Sequence, residues 1–225
     1  MAENNNDVGE FFSSFSDDWD TLYGEKRNPF MRSFDSVFRK DVYQRYELTF
    51  QALGKNLKGS TILDIGCGNG IYSLDAIQNG ATKVLGVDVA DQMIGLCKKV
   101  ANERNISQGL NFEVSNFPVS EDMKMRIGSF DYSIVMGVMD YVYDPAPFLK
   151  QLREVTDKEA YITFPGGRFI RYNLRKYRYK LLGRVHVMGY TSEDTITKLL
   201  NDAGFNDVSI DYLRHSGGCY FVRAK

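Results

Sequence analysis

The chain has 225 residues, 43% apolar and 13% aromatic, which suits one large domain with a packed core. Its 28 Lys and Arg against 29 Asp and Glu leave a net charge of −1, so no global field calls for nucleic acid or a membrane, and any such contact needs a local patch. Cys67, Cys97 and Cys219 form no CxxC pair, which speaks against a disulfide framework or a zinc site; with no basic-then-apolar leader and no apolar run of spanning length, the chain reads as cytoplasmic.

In chain order, Met1–Glu10 is polar and carries three consecutive asparagines. Phe11, Phe12, Phe15, Trp19 and Tyr23 then fall on one helical face, ended by Gly24 and Pro29. A longer helix is predicted from about Phe30 to Leu53, with Phe34, Phe38, Val42, Tyr46 and Phe50 four apart. Arg32, Arg39, Lys40 and Arg45 lie on its other face and read as solvated charges, with an anion site as the alternative, and Gly54 caps it. Residues 1–56 are thus expected to form a helical extension and 57–225 the main domain.

Ser60–Gly70 is the informative stretch. Thr61–Ile65 alternates β-branched and aliphatic residues around Asp64, as a buried parallel strand does, and Gly66, Gly68 and Gly70 then stop it. Without Cβ atoms the loop can turn sharply and lie against a ligand, with the amides opening the helix Ile71–Gln78 directed at it. A second strand, Lys83–Val89, brings Asp88 about one βαβ unit later, where an acid can take a ribose hydroxyl pair. Two cofactor classes use this layout. Dinucleotide enzymes favour GxGxxG beside a pyrophosphate, whereas this spacing is one shorter and Asp64 adds a carboxylate suited to a cationic ligand.

From these residues the chain resembles the class I S-adenosylmethionine-dependent methyltransferases, over roughly Ser60 to Val222. The resemblance implies an α/β fold: a doubly wound, seven-stranded, mostly parallel Rossmann-like sheet with an antiparallel last strand and an N-terminal helical lid. It implies S-adenosylmethionine as cofactor. Asp64 and the loop Gly66, Cys67, Gly68 and Gly70 would hold its amino acid end, Asp88 its ribose, and Val89 and Met93 would flank the adenine. The aromatic helix would be the lid, with Trp19 and Tyr23 near the amino acid end, or simply a helix packed on the core.

Further on, Asp91 is expected to cap a helix running to about Arg104, and Leu110–Val114 reads as the third strand. In the resembled family the next turn contacts the adenine edge, which places Asn116 and the backbone of Phe117 there; the same residues also suit a plain turn before Pro118. The fourth strand, Phe130–Met136, ends where Met136 and Gly137 should reach the cofactor and Asp140 and Tyr141 the acceptor. Many small-molecule relatives carry Glu-His in place of Asp140-Tyr141, and a tyrosine, mostly protonated near neutrality, orients rather than deprotonates.

A helix over Pro145–Glu154 and a strand over Ala160–Phe164 lead into an insertion at about 166–188. Between Arg168 and Arg184 it holds seven Lys or Arg residues, no acid, and Phe169, Tyr172, Tyr177 and Tyr179. Three readings fit: a covering helix with solvated charges, a site for an anionic acceptor, or weak contact with an anionic membrane surface or nucleic acid. His186 follows and is, with Asp140, a candidate base. Thr191 or Ser192 should cap a helix to Gly204, and Asp207–Leu213 and Cys219–Arg223 form a final hairpin, an antiparallel addition at the sheet edge that separates this fold from the dinucleotide one.

The expected function is transfer of a methyl group to a small-molecule acceptor at O or N, anionic acceptors included. A base is wanted for a hydroxyl and little beyond placement for an amine or carboxylate. No metal-ligand cluster and no nucleic-acid partner is expected, and the oligomeric state stays open. Two readings compete: a non-catalytic cofactor-binding module using 168–184 as partner surface, and a dinucleotide-dependent enzyme.

Overall fold

The computed structural model describes residues 43–166, 189–190, 192–213 and 218–225. Its seven strands are β1 (Thr61–Ile65), β2 (Lys83–Asp88), β3 (Leu110–Val114), β4 (Phe130–Val135), β5 (Thr156–Pro165), β6 (Val208–Leu213) and β7 (Cys219–Ala224). They lie in the order β3-β2-β1-β4-β5-β7-β6. Strands β1 to β5 pair in parallel, and β7 runs antiparallel to both β5 and β6. The order reverses between β1 and β4, and such a switch point opens a crevice at the carboxyl ends of the strands.

The doubly wound fold read from the sequence is present, with one difference of placement. The antiparallel strand lies inside the sheet, between β5 and β6, and β6 takes the edge. Burial explains the arrangement: β7 is buried along nearly all its length, whereas β6 leaves Asp211 and Tyr212 exposed, a polar pattern that suits an edge.

Six helices flank the sheet among the described residues: α1 (43–53), α2 (Ile71–Gln78), α3 (Asp91–Glu103), α4 (Glu121–Ile127), α5 (Pro145–Glu154) and α6 (Glu193–Asp202). On one face Ile127, Phe148, Leu152 and Leu200 from α4, α5 and α6 pack against Leu63, Val135 and Ile162. On the other, Leu53 and Tyr72 from α1 and α2 cover Ile62, Ile134 and Tyr161. Helix α1 is fixed there by Tyr46, whose hydroxyl donates to Asp75 at 2.7 Å, and by the fully buried Thr49 and Leu53. Trp19 and Tyr23, expected in a lid or a core-packed helix, the basic segment 168–184, His186 and His215 lie outside the described residues.

Helix starts follow side-chain chemistry. Ser120, Asp144 and Ser192 accept from the amides of Met123, Ala146 and Thr195. Asp91 departs from its expected role, because Ala90 is the N-cap of α3 and Asp91 the first helical residue. The Ala90 amide is satisfied by Asp88 Oδ1 at 2.9 Å, so the acid three residues earlier occupies the place a capping Asp91 would take.

One glycine fixes the register of β2 and β3. Gly109 has φ +76, and a Cβ there would stand 2.4 Å from the backbone oxygen of Thr82, an atom that cannot swing away. Gly109→Ala is expected to destabilise the protein by about 2 kcal/mol, lowering its melting temperature by roughly 4–8 °C in a thermal scan.

Candidate cofactor and acceptor site

The glycine loop after β1 is tied to β2. The amides of Gly66 and Cys67 both donate to Val87 O, at 2.8 and 3.0 Å, and Gly68 N–H donates to Asp88 Oδ2 at 2.9 Å. Two positions exclude side chains. A Cβ on Gly66, at φ +67, would meet Val138 Cγ2 at 2.4 Å; one on Gly70, at φ +76, would meet Cys97 Sγ at 2.9 Å. Beyond Gly68 the nearest atom to such a Cβ is Met93 Cε at 4.0 Å, so the middle of the loop faces open space a ligand can fill.

Asp64 sits inside β1 between Gly86 and Ile134, is 2% exposed, and accepts a 2.6 Å hydrogen bond from Ser73 Oγ at the start of α2. Burial pushes its carboxyl up to about 7; the Ser73 hydrogen bond holds it back, and the charge of Asp88 adds to the rise. Burial raises Asp88 as well, against the backbone amides of Ala90, Gly68 and Val89. A carboxylate can accept about four hydrogen bonds, so Asp88 keeps capacity for a ligand hydroxyl beyond Gly68 and Ala90. Two acids that resist ionisation in one crevice want a cation.

The loop's cysteine turns the other way. Cys67 is buried in a cluster with Cys97, Leu74 and Phe112. Its hydrogen bond with Cys97, then burial, holds the thiol well above its usual range, while Cys97 Sγ donates to Gly68 O at 3.0 Å. What Cys67 offers a ligand is backbone. Met93 is buried beneath the loop and Val89 half-buried at the end of β2. Asn116 is exposed, and its carbonyl accepts from Ser115 Oγ at 3.0 Å. The Phe117 ring packs edge-on against Phe148, centroids 4.8 Å apart. Gln151 fixes the following turn by accepting from Val119 N–H at 2.6 Å and donating to Val119 O at 2.9 Å.

At the end of β4, Gly137 N–H donates to Thr163 Oγ1 of β5 at 2.8 Å, and half-buried Met136 lies against Thr49 of α1. Asp140 is 8% exposed in the loop that follows, and Tyr141 N–H closes a turn on Val138 O.

Two groups take places that the sequence did not fix. Arg45 is not a solvated charge: its Nε is buried with no hydrogen-bond partner, and a Cβ on Gly137 would lie 3.6 Å from its Nη1. A guanidinium thus stands at the carboxyl end of β4. Tyr190, bridged to Gly166 at the end of β5, has a buried hydroxyl that is likewise unpartnered. Helical spacing put Arg45 on the polar face of α1, and only the tertiary packing of that helix over β4 shows where it goes. A cleft of about 360 Å³ near Lys83, Gly109 and Arg126 lies at the opposite ends of β2 and β3 and takes no part in this site.

These residues fit S-adenosylmethionine. The open space at Gly68, the two reluctant acids and the Arg45 guanidinium with its unpartnered Nε match its diol, its ammonium and sulfonium charges, and its carboxylate.

Comparison with known proteins agrees. A family model described as "Methyltransferase domain" matches residues 56–190. The ubiquinone biosynthesis O-methyltransferase of Acinetobacter baumannii (strain ACICU) is 28% identical over 132 residues, 59% of this chain and 53% of that protein. The chain thus spans about half the length of the Acinetobacter relatives it matches. The enzyme of the same name from Coxiella burnetii (strain RSA 331 / Henzerling II) is 26% identical over 201 residues, 87% of this chain and 76% of that one. Among solved structures, magnesium protoporphyrin IX methyltransferase from Synechocystis PCC 6803 with bound SAH shares the fold at a TM-score of 0.75 and 22% identity, covering 96% of this chain and 97% of that one. With the glycine loop and its flanking acids, the match over 56–190 shows that the chain belongs to the class I S-adenosylmethionine-dependent methyltransferase family.

Proposed function

We propose that the protein moves the methyl group of S-adenosylmethionine to an oxygen of a small-molecule acceptor. The observation that carries this is the pair Asp64 and Asp88 on either side of the open loop at Gly68, with Arg45 across the crevice at Gly137. The relatives named O-methyltransferases support oxygen as the acceptor atom.

When bound, the donor supplies an already activated methyl group, so the protein's work is placement and shielding. Asp88 would accept from the ribose diol. Asp64, held by Ser73, would face the ammonium, and Arg45 would take the carboxylate through Nε and Nη1. The Asn116 side chain and the Phe117 amide would meet the adenine edge, beside Val89 and Met93. Asp140, buried in the loop after β4, would hold an acceptor hydroxyl and receive its proton, and Tyr141 would orient the acceptor.

Calorimetry tests the assignment: S-adenosylmethionine should bind and NADH should not, and the reverse would overturn the reading. Arg45→Ala should weaken S-adenosylmethionine about tenfold or more, the loss of one charged hydrogen-bonding partner. The same variant should bind 5′-methylthioadenosine, which lacks the amino acid, as wild type does. Equal weakening for both ligands would remove Arg45 from the carboxylate.

A further inference from the structure

Gln151 of α5 is buried where packing alone asks for an apolar side chain. Its helix neighbours Phe148, Leu149 and Leu152 are apolar and fully buried, and Gln151 itself is 7% exposed. Its amide pairs both ways with one backbone unit: Oε1 accepts from Val119 N–H at 2.6 Å, and Nε2 donates to Val119 O at 2.9 Å. The side chain thereby offers the donor and acceptor of an adjoining strand to a residue that lies outside every strand. What this pair clamps is short. Ser115 N–H donates to Asp88 O at 2.9 Å, so residues 116–118 run from the backbone of the acid assigned to the ribose to the Gln151 clamp. One turn earlier on α5, Phe148 holds the Phe117 ring, so two residues three apart on one helix face grip Phe117 and Val119 together.

Resting on the methyltransferase reading above, we propose that Gln151 is a positioning residue for base selectivity: by clamping Val119 it fixes the turn at Asn116 and Phe117, so that the site accepts a 6-amino purine and rejects a 6-oxo one. Gln151 touches no ligand and acts only through the turn.

The chemistry of the two bases makes rigidity the selective element. Adenine N1 is an acceptor, whereas hypoxanthine N1 carries a proton near neutrality. A backbone N–H can only donate, so the Phe117 amide pairs with the first and opposes the second. The Asn116 carboxamide is a weaker discriminator, because it can turn over to offer a 6-oxo group its NH2 in place of its oxygen. Selection therefore falls on the backbone, and a backbone amide rejects the wrong base only while it cannot swing aside. With both ends of the turn tied, the amide is held; with the Val119 end released, it can rotate away from a protonated N1.

Titration calorimetry on the full chain compares S-adenosylhomocysteine with S-inosylhomocysteine. The two share amino acid, sulfur and ribose, so the titration of Asp64 cancels in the ratio of their dissociation constants. Wild type should prefer the adenine form by about tenfold or more at both pH 8 and pH 5.5. Gln151→Met should bring the ratio within about threefold at both values. Gln151→Glu should match Gln151→Met at pH 8, where its carboxylate repels Val119 O. At pH 5.5 it should regain a ratio of about tenfold, because burial favours the neutral carboxyl, which again accepts from Val119 N–H and donates to its carbonyl. Should Gln151→Met fail to fold, the two pH values of Gln151→Glu decide the matter by themselves. A Gln151 that only supports the fold would weaken both ligands alike and leave the ratio untouched; that result overturns the proposal, as does a Gln151→Glu ratio that ignores pH. Wild type that binds both forms equally overturns it together with the placement of Asn116 and Phe117 at the adenine. Wild type that binds neither overturns the methyltransferase reading beneath it.

Discussion

Asp88→Ala is expected to reduce affinity for S-adenosylmethionine at least a hundredfold in titration calorimetry. The carboxylate would accept two ribose hydroxyls, and hydrogen bonds to a charged group contribute roughly 1.5–3 kcal/mol each. A second loss adds to this. Oδ2 holds the Gly68 amide and Oδ1 the Ala90 amide, both at 2.9 Å, so removing the side chain frees the loop and the start of α3 together. Asp88→Asn separates the two effects: its single carbonyl oxygen can hold one amide but no longer draws two hydroxyls, so it should keep most of the melting temperature and lose most of the affinity. An Asp88→Ala dissociation constant within threefold of wild type would mean that the ribose is held elsewhere.

The second large effect is a dependence on pH set by Asp64. Its carboxyl rises from an ordinary 3.8 to about 7 in the folded protein, so between these values the native chain keeps a proton that the unfolded chain releases. Native stability on this account is highest at low pH and is lost as pH climbs through about 7, by roughly 4 kcal/mol at most. A cationic ligand reverses the sign locally, since it stabilises the ionised acid. The stabilisation that S-adenosylmethionine confers should therefore grow between pH 6 and pH 8. Asp64→Asn keeps the shape without the charge, so without donor it should outlast wild type in denaturant at pH 8.5 and lose that advantage at pH 5.5. Equal pH profiles for the two proteins would place the titration elsewhere.

Much of this was legible in the chain because local signals and tertiary demands agreed. Thr61–Ile65, Ile71–Gln78, Leu110–Val114 and Pro145–Glu154 fall where periodicity, glycines and prolines put them. Strand β5 begins four residues earlier than its apolar run: buried Thr156 and half-buried Glu159 pair with Phe130 and Tyr132 of β4 across a register shift, and Asp157 and Lys158 between them are exposed. Helix α4 was passed over, although Ser120 before Glu121 and Asp122, with Gly128 behind, is a usable start and stop signal; seven residues with one fully buried side chain give little periodicity. Arg45 and Tyr190 were beyond sequence reasoning for another reason. Each takes its place only through a neighbour far along the chain, at Gly137 and Gly166.

The interior position of β7 bears on how the molecule is made. Until residues 219–224 have left the ribosome, β5 presents an open flank and β6 has no neighbour, since each pairs with β7 on that side. Synthesis must therefore run ahead of assembly, with the donor crevice half built and a sticky margin exposed to other nascent chains. The C-terminal strand acts as the keystone, and shortening it would release a whole sheet margin.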